Sequence, residues 1–349
     1  MKFISKTVFC LGLAVMTFSC ATTNRLTLSV TEPAPVYIDK DISQIGILNR
    51  SLATDENQIL DKIDKILSIE DKNLDEDGAN YTIEAIKNQL SRNNRFKSIN
   101  IIESNKVENP GLGIFPSAIP WNVIEEICLE NNIDAIISLS FYDTDATINY
   151  TTNTVQKVNA FGIKVPVIEH QATINTLIKI GFRVYDNQSK QILDEIIVNQ
   201  TSTSTGKGVN PTKAIEALKG RREAVLQSST LLGQDYALRT LPYKIRVSRD
   251  YYVKGTNNFE IGKRRAQTGD WDGAAQLWEK ELNNPKPKIA GRACYNMAII
   301  NEINGNLERA LQWASKAYTD YNDKIALRYV NILKQRMRKN VILNQQHQD

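Results

Sequence analysis

The sequence predicts an α+β or α/β body, a mixed sheet with flanking helices, followed by an all-α array of helical hairpins. Three observations predict it. Short apolar runs alternate with helical patterns from about residue 44 onward, the order of an α/β unit with a parallel core. Residues 174–198 then switch to a period of two, which belongs to a half-buried antiparallel pair. The last third carries small residues at matching spacings in two successive stretches. With 349 residues, 42% hydrophobic and 23% charged, the chain has material for two domains. A net charge of +4 on that length offers little attraction to a polyanion, so nucleic acid is not an expected partner.

The chain opens with Lys2 and Lys6 and an apolar stretch, Val8–Met16. That stretch is too short to span a bilayer and has the layout of a secretory leader. It ends Thr17-Phe18-Ser19-Cys20, which resembles the lipobox of bacterial lipoproteins, with Thr17 where an aliphatic residue is usual. The resemblance implies cleavage after Ser19, diacylglycerol on the Cys20 thiol and acylation of the new amino group. Several acyl chains anchor far more firmly than one. Residues 1–19 are thus expected to be a signal peptide, and residues 20–43 a lipidated cysteine and a polar tether stiffened by Pro33 and Pro35. The expected location is the cell envelope, on the outer membrane facing the periplasm, with lipid as the membrane contact.

The body is expected over residues 44–250. Ile45-Gly46-Ile47-Leu48 reads as a strand. Helical spacing follows at Ile59, Ile63, Ile66 and Leu67, and again at Ile83, Ile86 and Leu90. Phe96–Ile102 reads as a second strand. Pro120 suits a first helical turn, with Trp121, Ile124, Ile127 and Cys128 on one side. Ile133–Phe141 is an unbroken apolar run fit for the centre of a sheet. Ile174–Val184, the turn Asp186-Asn187-Gln188-Ser189 and Ile192–Val198 form a hairpin. Pro211 then starts a helix expected to continue through Leu238. This order, with its segments Asn93–Ile102, Asn131–Phe141 and the hairpin, resembles the envelope domain of curli-secretion-type lipoproteins and the TolB amino-terminal domain.

The array is expected over residues 255–340 as two repeats and a capping helix, with a disordered tail at 341–349. Gly269-Asp270-Trp271 precedes Ala274, Leu277 and Trp278; Gly305-Asn306-Leu307 precedes Ala310, Ala314 and Ala317. Gly262 and Ala298 lie at the same offset before their glycines. The two turns recur at a little more than the period of about 34 residues of tetratricopeptide (TPR) repeats, which these residues resemble. Arg265 and Asn301 stand where that family usually has an aromatic. The resemblance implies a concave groove formed by the first helix of each repeat, with Asn258, Arg265, Arg292 and Asn301 as candidate partner-binding residues. With the leader and body, the chain resembles envelope lipoproteins of Bacteroidota type that carry C-terminal TPR repeats.

Candidate chemistry is sparse. His170 and His347 have no Cys or His at ligand spacing, and no cofactor is expected. Asp71, Asn73 and Asp75 have calcium-loop spacing, but Glu76 replaces the required glycine and Thr82 the bidentate glutamate, so the segment reads as a solvated acidic loop. Gly206-Lys207-Gly208 lacks the rest of a phosphate loop and reads as a flexible connection. Asp143 and Asp145 are the nearest approach to a hydrolytic carboxylate pair. Cys128 and Cys294 read as buried apolar residues, and Trp271, Trp278 and Trp313 as interhelical core. The expected function is that of a membrane-tethered, non-enzymatic adaptor that binds an envelope protein or peptide through the TPR groove. The alternative is an oligomeric structural subunit of an envelope assembly or secretion complex.

Overall fold

A computed structural model describes residues 22–51, 73–104, 106–107, 115–218 and 220–346. Cys20 and the leader lie outside the described residues, as do the helix expected around Ile59–Leu67, Asp71 and His347. The chain divides into two compact units. One holds residues 33–243 with the terminal residues from 344; the other joins the chain up to Glu32 with Lys244–Leu343.

The first unit is built on a five-stranded mixed sheet of order β3-β2-β4-β5-β6. Strand β2 (Gln44–Asn49) runs parallel to both β3 (Ser98–Ile102) and β4 (Ala135–Val158). Strands β5 (Lys164–Asp186) and β6 (Gln191–Gly208) continue it antiparallel. Alternation sends Ile45, Ile47, Ile178, Ile180 and Phe182 to one face, where helices α1 (Leu74–Ser91) and α4 (Arg221–Arg239) contribute Ile83, Ile86, Leu90 and Tyr236. Phe182 stacks on Tyr236 with ring centroids 3.8 Å apart. The opposite face buries Leu48, Ile136 and Tyr185 under Ile124, Ile127 and Cys128 of α2 (Trp121–Asn131). Helices α1 and α4 approach so closely that a Cβ on Gly233 would collide with the Thr82 carbonyl oxygen. There the Thr82 hydroxyl donates to the Ser229 carbonyl at 3.2 Å.

Several expected boundaries move. The central strands are longer than the apolar runs, because β4 and β5 stay paired from Ala135↔Asp186 out to Val158↔Lys164. The helix expected over Pro211–Leu238 breaks into α3 (Pro211–Glu216) and α4, with Gly220 in the left-handed region at φ 91°. Gly206 and Gly208 are strand residues rather than a loose connection. A Cβ on either would strike the backbone of α3, so both glycines admit that helix onto the sheet. From Leu74 onward the segment read as an acidic loop is the first turn of α1, where Asp75, Glu76 and Asp77 complement the helix dipole. Asp75 accepts a hydrogen bond from Thr144 at 2.5 Å, and Asp77 pairs with Arg222.

The second unit corrects the expected tether. Residues Thr23–Glu32 form strand β1, paired with β7 (Tyr243–Tyr252) in a two-stranded sheet. The Val253 amide donates to the Thr22 carbonyl at 3.0 Å, Asn24 donates to the Tyr251 hydroxyl, and Arg25 pairs with Asp250. Partner numbers fall as β1 advances, so the pairing is antiparallel. Leu26 and Leu28 carry the period of two and pack into the unit's core. The boundary of the expected body moves as well, since β7 belongs to this unit and not to the sheet of the first.

Helices α5 (Asn257–Gln267) and α6 (Trp271–Glu279) form one hairpin, and α7 (Pro287–Ile303) and α8 (Leu307–Thr319) a second. Gly269 (φ 85°) and Gly305 (φ 77°) make their turns in a conformation that side chains resist. Gly262 leaves room for the Trp278 indole, and Ala274, Ala298 and Ala310 are fully buried where helices meet. Trp278 is core; Trp271 and Trp313 pack half-buried against it. Helix α9 (Lys324–Gln346) continues through residues expected to be a disordered tail. Leu343 is buried, and the Gln346 carboxamide accepts from the Ala34 amide at 2.9 Å.

Candidate interaction surfaces

Two surfaces are candidates for interaction: the first-helix face of the helical unit and an arm of the body sheet. On the first, the four groove candidates stand on α5 and α7, half-buried, and each has an intramolecular partner. Asn258 donates to the Glu281 carboxylate at 2.6 Å. Arg265 donates to the Gly273 carbonyl at 3.0 Å. Arg292 donates to the Lys254 carbonyl at 2.6 Å and lies over the Tyr252 ring. Asn301 donates back along its helix to the Met297 carbonyl at 2.7 Å.

The face of α7 is covered by the chain itself. Asn296, fully buried, accepts from the Tyr252 amide and donates to the Tyr252 carbonyl, each at 2.7 Å. One carboxamide thus holds one residue of an extended strand at both its polar groups. Three residues before Tyr252, Arg249 grips the Glu302 carboxylate with two nitrogens at 2.8 and 2.9 Å. Glu302 also accepts from Tyr329 and from Arg336, each at 2.5 Å, so its completely buried side chain has three donors. Burial alone would raise the Glu302 carboxyl; hydrogen bonds and charge from Arg249, Tyr329 and Arg336 outweigh it and hold the group below its ordinary value. The expected groove is therefore lined, along α7, by Arg249–Lys254 of the same chain. The sequence concealed this because β7 precedes the helical hairpins and shares none of their small-residue spacing.

The second surface was not read from the sequence. Beyond Leu139, the β2 side of β4 has no strand partner among the described residues, and beyond His170 the β6 side of β5 has none. The pair 153–169 therefore projects as a two-stranded arm, closed by a turn in which Asn159 accepts from the amides of Phe161 and Ile163. Its tip is apolar and open to solvent: Phe161 is 87% exposed, Val158 62%, Ile168 61% and Ile163 60%. Exposed apolar residues gathered in one place mark an interaction surface more often than scattered ones. At the base of the arm His170 stacks against Tyr150 and hydrogen-bonds its hydroxyl, and Lys157 and, from β6, Lys207 flank Glu169. The signal that could have revealed the arm is its content of Thr, Tyr, Ile and Val, which favours strand even without alternating burial.

Asp143 takes Lys179 at 3.4 Å, and Asp145 is exposed. Cys128 and Cys294 are free thiols, and burial raises them to about 12 and about 11. Among the described residues no cluster of His, Cys, Asp or Glu could hold a metal ion, and no helix is long and apolar enough to cross a membrane.

A family model described as a domain of unknown function (DUF8603) matches residues 42–252, more than half of the chain. The chain belongs to the DUF8603 family. A second model, also a domain of unknown function (DUF6340), matches residues 260–335. The DUF8603 match thus takes in the body sheet, its arm and β7, and the DUF6340 match takes in the helical hairpins from Glu260 onward. No curated protein matches the chain. Among solved structures, a PelC dodecamer from Paraburkholderia phytofirmans is similar at 9% identity and a TM-score of 0.24, over 62% of this chain and 98% of that one. A putative neuraminyllactose-binding hemagglutinin homolog from Helicobacter pylori is similar at 9% identity and a TM-score of 0.24, over 57% and 92%. At such scores neither assembly nor ligand is transferred to this DUF8603 member.

Proposed function

We propose that this DUF8603 member is a non-enzymatic interaction protein of the bacterial envelope, held at a membrane by lipid on Cys20. In this reading the apolar tip of the β-arm is the primary contact with a protein partner. The helical hairpins are TPR-type repeats, and their recognition surface excludes the strip of α7 covered by β7. The observation that carries the reading is the tip itself. Phe161, Val158, Ile163 and Ile168 contribute no buried core, yet remain exposed at the end of a long paired arm. Anchoring rests on the lipobox resemblance at Cys20.

The test is photo-crosslinking in cells from a benzophenone side chain at position 161, with position 309 on α8 as the reference. One discrete envelope protein joined at 161 and not at 309 is the expected result. Adducts at neither position would overturn the adaptor. A second reading, an oligomeric subunit, is favoured by the open edges of β4 and β6, because unpaired strand edges invite pairing with another chain. Adducts at 161 that join two copies of this chain, together with a discrete multimer in light scattering, would select it instead.

A further inference from the structure

We infer that the helical unit carries an anionic-phospholipid contact, a basic rim of Lys254, Lys286, Lys288 and Arg292 set beside the point where the lipidated end enters the fold. The inference rests on the anchoring proposed above and specifies which surface the anchor presses against the membrane.

Three observations place the rim. Thr22 is the strand-side end of the anchor, and its carbonyl takes the Val253 amide at 3.0 Å, so Lys254 is the next residue along. The Lys254 carbonyl accepts from Arg292, and Gly255 lacks the Cβ that would collide with Ile289 at 2.8 Å. Residues 254–255 therefore lie against the first turns of α7, where Lys286 caps the helix and Lys288 follows, both exposed. Neither lysine, nor Lys254, makes an ion pair among the described residues. The carboxylates around them are turned to other tasks. Glu281 is buried and accepts from Thr256, Asn258 and Asn284. Asp250 is paired with Arg25, and Asp323 accepts from the amides that open α9.

Distance makes this charge effective. Thr22 is two positions after Cys20, with Ala21 between them, and an extended chain spans at most about 3.6 Å per residue. Acyl chains on Cys20 would hold Thr22 within about 7 Å of the lipid-bearing residue, so the surface beside Thr22 is kept near the headgroups. A free tether of the length expected from sequence would have left the rim beyond that range. The β1–β7 pairing removes the slack. Cations kept near the surface attract anionic headgroups, and one lipid signal reinforced by a basic patch is a firmer attachment than lipid alone.

The experiment uses the mature chain beginning at Cys20, its thiol coupled to a maleimide-bearing phospholipid in vesicles. Cys128 and Cys294 stay unreacted, being buried with thiols raised to about 12 and about 11. Lysine acetylation is followed by mass spectrometry on phosphatidylcholine vesicles and on vesicles with about one-third phosphatidylglycerol. Labelling of Lys254, Lys286 and Lys288 is expected to slow about threefold on the anionic vesicles and to recover in about 0.5 M salt, while Lys334 of the same unit, exposed on α9 near the Arg336–Glu302 pair at the other end of α7, is unchanged. Equal labelling on both vesicles overturns the rim, as does equal slowing at Lys334. In a Lys286→Glu/Lys288→Glu chain the slowing at Lys254 is expected to vanish; persistence overturns it. The anchor is judged separately: a Cys20 peptide from cells without acyl mass sinks the proposed tethering, whereas equal labelling on coupled vesicles sinks the rim alone.

Discussion

At the scale of single residues, Glu302 is the most consequential side chain of the helical unit. It joins β7 to α7 and α9 through Arg249, Tyr329 and Arg336 in a site closed to water. Removing one partner from a buried ionic network leaves the others uncompensated and costs about 3–5 kcal/mol. Glu302→Gln is therefore expected to destabilise the helical unit by that order, read by urea unfolding. Acid should act in the same direction. The folded carboxyl lies below its ordinary value of 4.5, so its stabilisation is complete above that pH and is lost as pH falls through the lower folded value. Fluorescence of Trp271, Trp278 and Trp313 is expected to report loss of the helical unit only below about pH 4.5. Loss near pH 6 would assign the transition to another group. In the body, Gly233→Ala drives a methyl group toward the Thr82 carbonyl and is expected to cost about 1–3 kcal/mol. An unchanged melting temperature would mean that the two helices separate freely.

At the scale of elements, β1 and the arm make opposite demands. Strand β1 contributes Leu26 and Leu28 to the helical core and covers the edge of β7. Its deletion, with the chain started at Pro33, is expected to cost about 3–6 kcal/mol from two lost aliphatic contacts. A helical unit that melts at the full-length temperature without β1 would restore the tether reading. The arm tip has no such role. Ile163→Ser with Ile168→Ser is expected to leave the melting temperature within about 1 °C while abolishing partner or self crosslinks from position 161, since exposed side chains change stability little. Where the arm was illegible, the reason is specific. Residues 147–158 face water on both sides, so no alternation of buried and exposed positions marks them, and only continuous pairing with β5 holds them extended.

At the scale of the whole molecule, the chain consists of two units whose sequence segments interleave. The helical unit needs residues before Pro33 and residues after Tyr243, and the body is inserted between them. Contacts of such sequence separation are slow to form, because loop closure precedes any reward from packing. Refolding is accordingly expected to show the body's Trp121 signal recovering before the helical unit's tryptophans, read by stopped-flow fluorescence of single-tryptophan chains. Simultaneous recovery would indicate one cooperative unit.

The sequence by itself determined whatever depends on local periodicity or local sterics: the mixed sheet with its helices, the glycine turns at Gly269 and Gly305, the buried cysteines, and the helical hairpins. It left open whatever depends on a partner far along the chain. Leu26 and Leu28 read as tether until β7 stands beside them. Arg292 reads as a groove residue until Lys254 and Tyr252 occupy its reach. Gly206 and Gly208 read as a loop until α3 lies across them. In each case a side chain's role is set by which distant backbone removes it from water, and only the tertiary structure supplies that neighbour.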